Sequence, residues 1–192
     1  MDDEDLIETE LSSEVIFDGA LLKVRRDQVR TPSGGSAVRE WISHPGAVVV
    51  IAQLDNGKLL FERQFRYPLR HIFIELPAGK IDSNEHAFDT ARRELREETG
   101  YKARDWRHLG TMHPCIGYSD ERIEIFFAHG LSFVGSGCDD RRESPWHDEE
   151  FLEVLEMSLT DALLAIRDGE ITDAKTITAL LWAEKLLNGE WQ

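Results

Sequence analysis

Short segments in which apolar residues alternate with polar ones, or run together, occupy most of the first two-thirds of the chain. Before residue 45, the segments VIFDG, ALLKVRRDQVR and AVREWIS are typical of strands joined by turns and predict a small antiparallel unit. After His44, the nearly continuous apolar segment AVVVIAQL predicts a strand buried on both faces. The turn Asp55-Asn56-Gly57 predicts a hairpin into KLLFERQFRY. A domain boundary is therefore expected near residue 45.

Further strands and three helices are predicted beyond this hairpin. The strand-like segments are HIFIELPAGKI, WRHLGTMH, ERIEIFFAHGL and FLEVLEMS. One helix is predicted within residues 79–101, and two close the chain, capped by Ser158 or Thr160 and by Thr172 or Asp173. Residues 135–150 are polar and predict either a substrate loop or a mobile segment. Strands interspersed with helices favour a mixed α/β sandwich with helices on both faces of the sheet.

Three regions follow from these patterns. Residues 1–13 are acidic with few apolar anchors and predict a flexible arm. Residues 14–45 form the small β unit, and residues 46–192 form the α/β domain.

Charge and composition narrow the classes of function. The net charge is -15, from 37 Asp+Glu against 22 Lys+Arg, so we expect no nucleic-acid partner and no binding to a membrane surface through a basic face. The longest apolar run, at 47–52, is far shorter than the roughly 20 residues that span a bilayer. Cys115 and Cys138 have no zinc-site spacing, and the first residues lack the pattern of a secretory signal. We expect reduced thiols and a cytoplasmic location.

The helix predicted after Asp82 carries an unusual concentration of acid. Asp82 is the expected N-cap, with Glu85 completing a capping box. Glu94, Glu97 and Glu98 then lie almost side by side near the C-terminal end, where each like-charged pair costs about a few tenths of a kcal/mol and the helix dipole opposes negative charge. Either this is a solvated acidic edge balanced by arginines, or the carboxylates bind a hard divalent cation.

The same segment carries a specific motif. Its fixed positions match the pattern G-x5-E-x7-R-E-U-x-E-E-x-G-U, with Tyr101 at a last position that is more often aliphatic. The matching residues are Gly79, Glu85, Arg93, Glu94, Leu95, Glu97, Glu98, Gly100 and Tyr101. By this motif the chain resembles the Nudix hydrolases. The resemblance implies the Nudix α/β/α sandwich with a mixed sheet and a metal-dependent attack on a nucleoside diphosphate linked to another group.

The resemblance also implies a metal site. The carbonyl of Ala78 and the carboxylates of Glu94, Glu97 and Glu98 would hold two or three Mg²⁺ ions, with Mn²⁺ as the alternative. Arg93 would hold one carboxylate while the others bind metal, and it is assigned to catalysis together with Glu97.

Flanking segments resemble the ADP-ribose pyrophosphatase branch of the family. They are IELPAGKID, ERQFRYP, GYSDERIEIFFA and GEITDAKTITALLW. This resemblance implies hydrolysis of ADP-ribose to AMP and ribose 5-phosphate. The alternatives are hydrolysis of GDP-mannose or another nucleotide sugar, and a non-catalytic module that binds ADP-ribose. RNA 5′-end processing is disfavoured by the net charge of -15.

The branch resemblance assigns further residues by position. Glu121 matches the loop glutamate that acts as general base, with Asp120 and Glu97 as alternatives. Arg66 and Arg39 match arginines that bind substrate phosphate, and each could instead be a surface residue of its strand.

Three aromatic residues, Phe17, Trp41 and Tyr67, lie near the expected adenine entrance without a firm assignment. The resemblance further implies that the small β unit is shared or exchanged across a homodimer.

Overall fold

Residues 3–135 and 151–191 are described in the computed structural model. Within them the chain divides into two compact units. The first comprises the described residues up to His44 together with Cys115–Glu121. The second comprises Pro45–Pro114 and the described residues from Arg122 onward.

The first unit is built on a three-stranded antiparallel sheet. After a 3-10 turn at Asp3–Leu6, its strands are β1 (Thr9–Asp18), β2 (Lys23–Arg30) and β3 (Ser36–Ser43), in the order β1-β2-β3. Strand β1 begins at Thr9, earlier than the sequence predicted, because the residues from Thr9 onward already pair with β2, starting with Thr9 opposite Arg30.

The segment Cys115–Glu121 belongs with this first unit, although its position along the chain placed it in the second domain. Long-range bonds to strand β3 account for this. The amide of Ile42 donates to the carbonyl of Tyr118 at 2.8 Å, and the amide of His44 donates to Oδ1 of Asp120 at 2.7 Å.

The second unit contains the remaining elements. In chain order they are β4 (Ala47–Ala52), β5 (Leu59–Arg66), β6 (His71–Glu75), β7 (Ala78–Lys80), α1 (Ala87–Thr99), β8 (Tyr101–Met112), β9 (Ile123–Phe133), β10 (Leu152–Met157), α2 (Leu159–Arg167) and α3 (Ala174–Leu187). One sheet has the order β7-β4-β9-β8 and the other β10-β5-β6. Strands β4 and β9 run parallel and the other neighbours antiparallel, so the first of these sheets is mixed.

Strand β4 is buried along its whole length, as its unbroken apolar sequence predicted. Val48 and Val50 face a core that includes Ala91 and Leu95 of α1. Val49 and Ile51 face a second core lined by apolar residues of α2 and α3. The predicted mixed α/β sandwich, with helices on both faces of the sheet, is confirmed.

Helix α1 begins at Ala87, five residues after the predicted N-cap Asp82, and its N-cap is His86. The helix cannot extend back to Asp82 because Asn84 has a left-handed backbone with φ of 68°. The helix ends at Gly100, whose amide still bonds the carbonyl of Arg96 and whose φ of 76° turns the following chain out of the helix. For α2 and α3 the side chains of Ser158 and Asp173 accept the capping hydrogen bonds, one from each predicted pair.

Among the described residues, no helix is long and apolar enough to cross a bilayer. The predicted polar segment after Gly135, with Cys138, lies outside the described residues.

Candidate active site

The short strand β7 and helix α1 form a cradle in which two of the predicted metal ligands lie against the backbone. The amide of Ala78 donates to Oε2 of Glu98 at 3.0 Å. A Cβ added to Gly79 would lie 2.0 Å from Oε1 of Glu94, so only glycine leaves room for that carboxylate. Helix α1 therefore projects Glu94 and Glu98 onto strand β7, which carries the carbonyl of Ala78.

Arg93 connects the carboxylates of this cradle. Its Nη1 donates to Glu94 Oε1 at 2.7 Å and to Glu97 Oε2 at 3.2 Å. Its Nε and Nη2 donate to the two oxygens of Glu85 at 3.1 and 2.9 Å, and Nη2 also reaches the carbonyl of Lys80 at 3.2 Å. Sequence reasoning expected Arg93 to hold one carboxylate, whereas it binds three.

The charges around Arg93 shift the pKa of Arg93 itself and that of Glu85. Burial alone would lower the pKa of Arg93, but the hydrogen bonds that Arg93 donates to Glu85 and the negative charge of Glu94 raise it. The hydrogen bonds of Arg93 lower the pKa of Glu85 in return, with a further bond from the hydroxyl of Thr90 at 2.8 Å. Both groups are therefore held in their charged forms.

Glu85 has a larger role than the predicted capping box gave it. The amide of Asp82 still donates to Glu85 Oε2, at 3.4 Å, but Asp82 is not the helix cap. The carboxylate mainly holds Arg93 and Thr90. Its fixed place in the motif, eight residues before Arg93, was the signal that could have indicated this pairing.

The chemistry of this donor set fits a hard divalent cation. Three carboxylates and one backbone carbonyl supply only oxygen atoms, which Mg²⁺ and Mn²⁺ prefer. In the described part of the chain no three acidic, histidine or cysteine side chains form a preformed metal cluster. The guanidinium of Arg93 lies between Glu94 and Glu97 instead and balances their charge.

Arg66 lies in the second unit and is bound by a different carboxylate. Its Nε and Nη2 donate to Oε1 and Oε2 of Glu75 at 2.7 and 2.8 Å, and Lys175 also bonds Oε2 of Glu75. Burial alone would raise the pKa of Glu75, but Arg66 and Lys175 lower it to about 2. Sequence reasoning missed Glu75 and Lys175, although both lie in segments that carry the branch resemblance.

Glu121 and Arg39 belong to the first unit. Oε1 of Glu121 lies 3.8 Å from Nε2 of His44, and its amide donates to the hydroxyl of Ser119 at 3.1 Å. Asp120, the alternative base, accepts the amide of His44. Arg39 is exposed and donates two hydrogen bonds to the carboxylate of Glu8. These bonds raise the pKa of Arg39.

The aromatic candidates have different surroundings. Phe17 and Tyr67 are exposed, and the guanidinium carbon of Arg70 lies 3.5 Å from the ring centroid of Tyr67. Trp41 is half-buried, and its indole N–H donates to Asp27 Oδ2 at 2.6 Å. Of the predicted site residues, the structure brings Ala78, Arg93, Glu94, Glu97 and Glu98 together.

Comparison with known proteins gives two family matches along the chain. Residues 43–180 match the model of the NUDIX domain, and residues 8–42 match that of the nucleoside diphosphate sugar hydrolase N-terminal domain. The chain is 37% identical over 179 residues to an ADP-ribose pyrophosphatase of Bacillus subtilis (strain 168), covering 93% of this chain and 94% of that protein. A GDP-mannose pyrophosphatase of Yersinia enterocolitica is 32% identical over 145 residues, covering 72% of this chain and 73% of that protein.

A solved structure shows the same fold. The crystal structure described as an ADP compounds hydrolase superposes with a TM-score of 0.82 at 22% sequence identity, covering 95% of each chain.

Proposed function

The chain belongs to the Nudix hydrolase family, and from this premise we propose that it hydrolyses the pyrophosphate bond of ADP-ribose to give AMP and ribose 5-phosphate. Similarity to an ADP-ribose pyrophosphatase over most of both chains supports this substrate. The observation that carries the proposal is the cradle in which Glu94 and Glu98 lie on the backbone of Ala78 and Gly79.

Nudix hydrolases generally use divalent metal ions. In this chain the carbonyl of Ala78 and the carboxylates of Glu94, Glu97 and Glu98 would hold them, and we propose two or three Mg²⁺ ions, with Mn²⁺ as the alternative. When bound, such ions activate a water molecule and stabilise the negative charge that develops on the pyrophosphate.

The residues of the chain have separate tasks in the proposed reaction. Arg93 and Glu85 keep the carboxylates of the cradle in place. Glu121 accepts the proton of the attacking water, and His44, 3.8 Å away, limits the orientation of its carboxylate. The water oxygen forms a bond to one phosphorus as the bond to the bridging oxygen breaks. Arg66 and Arg39 bind the phosphate oxygens of the substrate.

We also propose that two copies of the chain form a homodimer through the first unit. Several large apolar side chains of β1 are exposed, among them Val15, Ile16 and Phe17. Contiguous apolar side chains left exposed on a strand are typical of an interaction surface, which a second copy would cover.

Product analysis tests the enzymatic proposal. Purified protein with Mg²⁺ is incubated with ADP-ribose in ¹⁸O-labelled water, and we expect AMP and ribose 5-phosphate with one labelled oxygen in one of the two products. The labelled product identifies the phosphorus that is attacked. Binding of ADP-ribose with no AMP released over hours would instead identify a binding module.

A second candidate substrate class is supported by the similarity to a GDP-mannose pyrophosphatase. A panel of ADP-ribose, GDP-mannose and other nucleotide sugars, ranked by kcat/KM, decides between the two. We expect ADP-ribose to rank first, and a higher kcat/KM for GDP-mannose would reassign the substrate.

A further inference from the structure

A buried carboxylate joins the end of strand β6 to the start of helix α3. The side chain of Glu75 is only 4% exposed, and its two oxygens bind one cation from the adjacent strand β5 and one from helix α3, 100 residues away. Arg66 donates to both oxygens, at 2.7 and 2.8 Å, and Lys175 bonds the Oε2 that Arg66 Nη2 also bonds. These bonds fix the edge of the Arg66 guanidinium formed by Nε and Nη2, while 43% of the Arg66 side chain remains exposed to solvent.

The first turn of α3 holds this arrangement in place. Oδ2 of Asp173 accepts from Lys175 Nζ at 3.0 Å and from the amide of Thr176 at 3.0 Å, so the cap of α3 also positions the lysine. The hydroxyl oxygen of Thr176 accepts from the amide of Leu76 at 2.9 Å. The bonds from α3 therefore fix both Glu75 and the residue that follows it.

The position of Lys175 has an electrostatic consequence for Arg66. A carboxylate that bound Arg66 alone would cancel most of the positive charge that an anionic ligand meets. Because Lys175 bonds the same oxygen, the negative charge of Glu75 is divided between two cations. Asp173 pairs with Lys175 in turn, so what the network gives Arg66 is a fixed orientation.

Stability alone is a weak explanation for such a network. Well-packed apolar residues of similar volume usually stabilise a protein as well as buried ion pairs do, because charged groups lose their hydration on burial. A carboxylate of this geometry, by contrast, fixes the orientation of a guanidinium through two parallel hydrogen bonds.

We propose that Glu75 and Lys175 are positioning residues for Arg66, which they hold in the orientation that binds the substrate pyrophosphate. This inference rests on the proposed function, because it needs a phosphate for Arg66 to bind. Glu75 and Lys175 act through Arg66, and neither is assigned a contact with the substrate.

A double-mutant cycle tests this dependence. We compare kcat/KM for ADP-ribose with Mg²⁺ in the single variants Glu75→Gln, Lys175→Met and Arg66→Met. The same measurement is made for the two double variants in which Arg66→Met is combined with Glu75→Gln or with Lys175→Met. We expect Glu75→Gln to lower kcat/KM by about 10- to 100-fold, as expected when a binding group is misplaced, and Lys175→Met to lower it by a smaller factor. In the Arg66→Met background, we expect either substitution to change kcat/KM by less than about twofold.

Matched controls come from other ion pairs of the same unit. Lys185 also lies on α3 and bonds Glu190 at 2.9 Å, and Glu153 accepts from Arg63 at 2.6 Å. We expect Lys185→Met and Glu153→Gln to leave kcat/KM within about twofold, because both pairs are exposed. Lys175→Arg, which keeps a cation on Glu75, should recover most of the activity lost in Lys175→Met.

The outcome that would overturn the inference is additivity. If Glu75→Gln and Lys175→Met cause the same loss with and without Arg66, these residues act independently of it. A full kcat/KM in Arg66→Met would also overturn it.

Binding measurements separate this inference from the proposed function. The same cycle is measured as the Kd for ADP-ribose by calorimetry in EDTA, where turnover is prevented. Coupling among the three residues without AMP release in Mg²⁺ would refute the hydrolysis and support the positioning. AMP release without coupling would support the hydrolysis and refute the positioning role of Glu75 and Lys175. A wild-type protein that neither binds nor cleaves ADP-ribose would refute the hydrolysis and the positioning role together.

Discussion

Glu94 lies against the backbone of Gly79 so closely that a Cβ on Gly79 would meet its carboxylate oxygen at 2.0 Å and its Cδ at 2.1 Å. The relationship ties a residue of helix α1 to a residue of strand β7. It explains why the motif requires glycine here without any unusual backbone angle.

The first prediction concerns Gly79→Ala. The added methyl group must displace Glu94, which is the end of a flexible side chain, so we expect a loss of stability of only about 1–2 kcal/mol. Activity should fall by roughly 100-fold, because misplacement of a catalytic group by about 1 Å has this effect. Chemical denaturation and kcat with Mg²⁺ measure the two effects.

The matched control is Gly35→Ala, in the first unit, where the added Cβ would contact only the Thr31 hydroxyl, at 3.3 Å. We expect it to leave kcat unchanged. Full activity in Gly79→Ala would show that Glu94 need not occupy the cradle.

The second prediction concerns Glu98→Gln. The amide oxygen of glutamine can still accept from the amide of Ala78, and one negative charge is removed from the C-terminal end of the helix, so the melting temperature should stay the same or rise slightly. Turnover should fall by at least about 100-fold, since loss of an outer-shell partner alone costs up to that factor. A strongly lowered melting temperature in metal-free buffer would indicate a structural role for Glu98.

The third prediction concerns Arg93→Met. Removal of the guanidinium leaves Glu85, Glu94 and Glu97 without their shared cation, so we expect metal-free stability to fall by roughly 2–4 kcal/mol. Mg²⁺ should then raise the melting temperature of the variant more than that of the wild type, because the ions replace the lost positive charge.

The control for this variant is Arg92→Met, the adjacent arginine, whose only described salt bridge is with Asp89, at 4.0 Å. We expect stability within about 0.5 kcal/mol of the wild type. An equal response to Mg²⁺ in Arg93→Met and wild type would show that the ions do not replace the charge of Arg93, and no response in either protein would contradict a cation site in the cradle.

The fourth prediction concerns acid stability. Folding lowers the pKa of Glu75 from 4.5 to about 2, so its contribution to stability is present above pH 4.5 and is lost as the pH falls toward 2. This pH-dependent contribution of Glu75 to the free energy of unfolding amounts to roughly 3 kcal/mol. Denaturation of the wild type and Glu75→Gln between pH 7 and 3 should show a difference that shrinks as the pH falls. A difference independent of pH would mean that Glu75 is not an ionised partner.

The fifth prediction concerns assembly. Light scattering should give twice the chain mass of 22.0 kDa. Val15→Glu combined with Ile16→Glu should give the single-chain mass with an unchanged circular dichroism spectrum, because charge would face the apolar surface of the second copy. Leu164→Glu, an exposed apolar position on α2, serves as the control. A dimer that survives the double substitution would place the interface elsewhere.

Local patterns were enough to predict much of the fold. The apolar run at β4 and the caps Ser158 and Asp173 depend on residues within a few positions of one another. The turn after β4 also forms, but the predicted hairpin was wrong beyond the bridge between Gln53 and Leu59, because β4 and β5 belong to different sheets. The predicted start of α1 was wrong because Asn84 adopts a left-handed backbone, which the capping-box spacing does not reveal.

The candidate site was predicted less completely, because it depends on contacts between distant residues. The motif identified Glu94, Glu97 and Glu98, but the cradle requires β7, a strand of only three residues that was not predicted as a separate element. Glu75 and Lys175 lie 100 residues apart, and no local pattern pairs them. The long-range bonds that join Cys115–Glu121 to the first unit were likewise not predictable from spacing.

Strand β4 has a consequence for how this site can move. Its backbone groups bond β9 on one side and β7 on the other, so its amides should exchange with deuterium only when the whole domain opens. Strand β7 pairs with β4 at only three positions, from Val49 opposite Ala78 to Ala47 opposite Lys80. We therefore expect the amides of β7, the strand that carries the carbonyl of Ala78, to exchange faster than those of β4, through a smaller opening that leaves β4 closed.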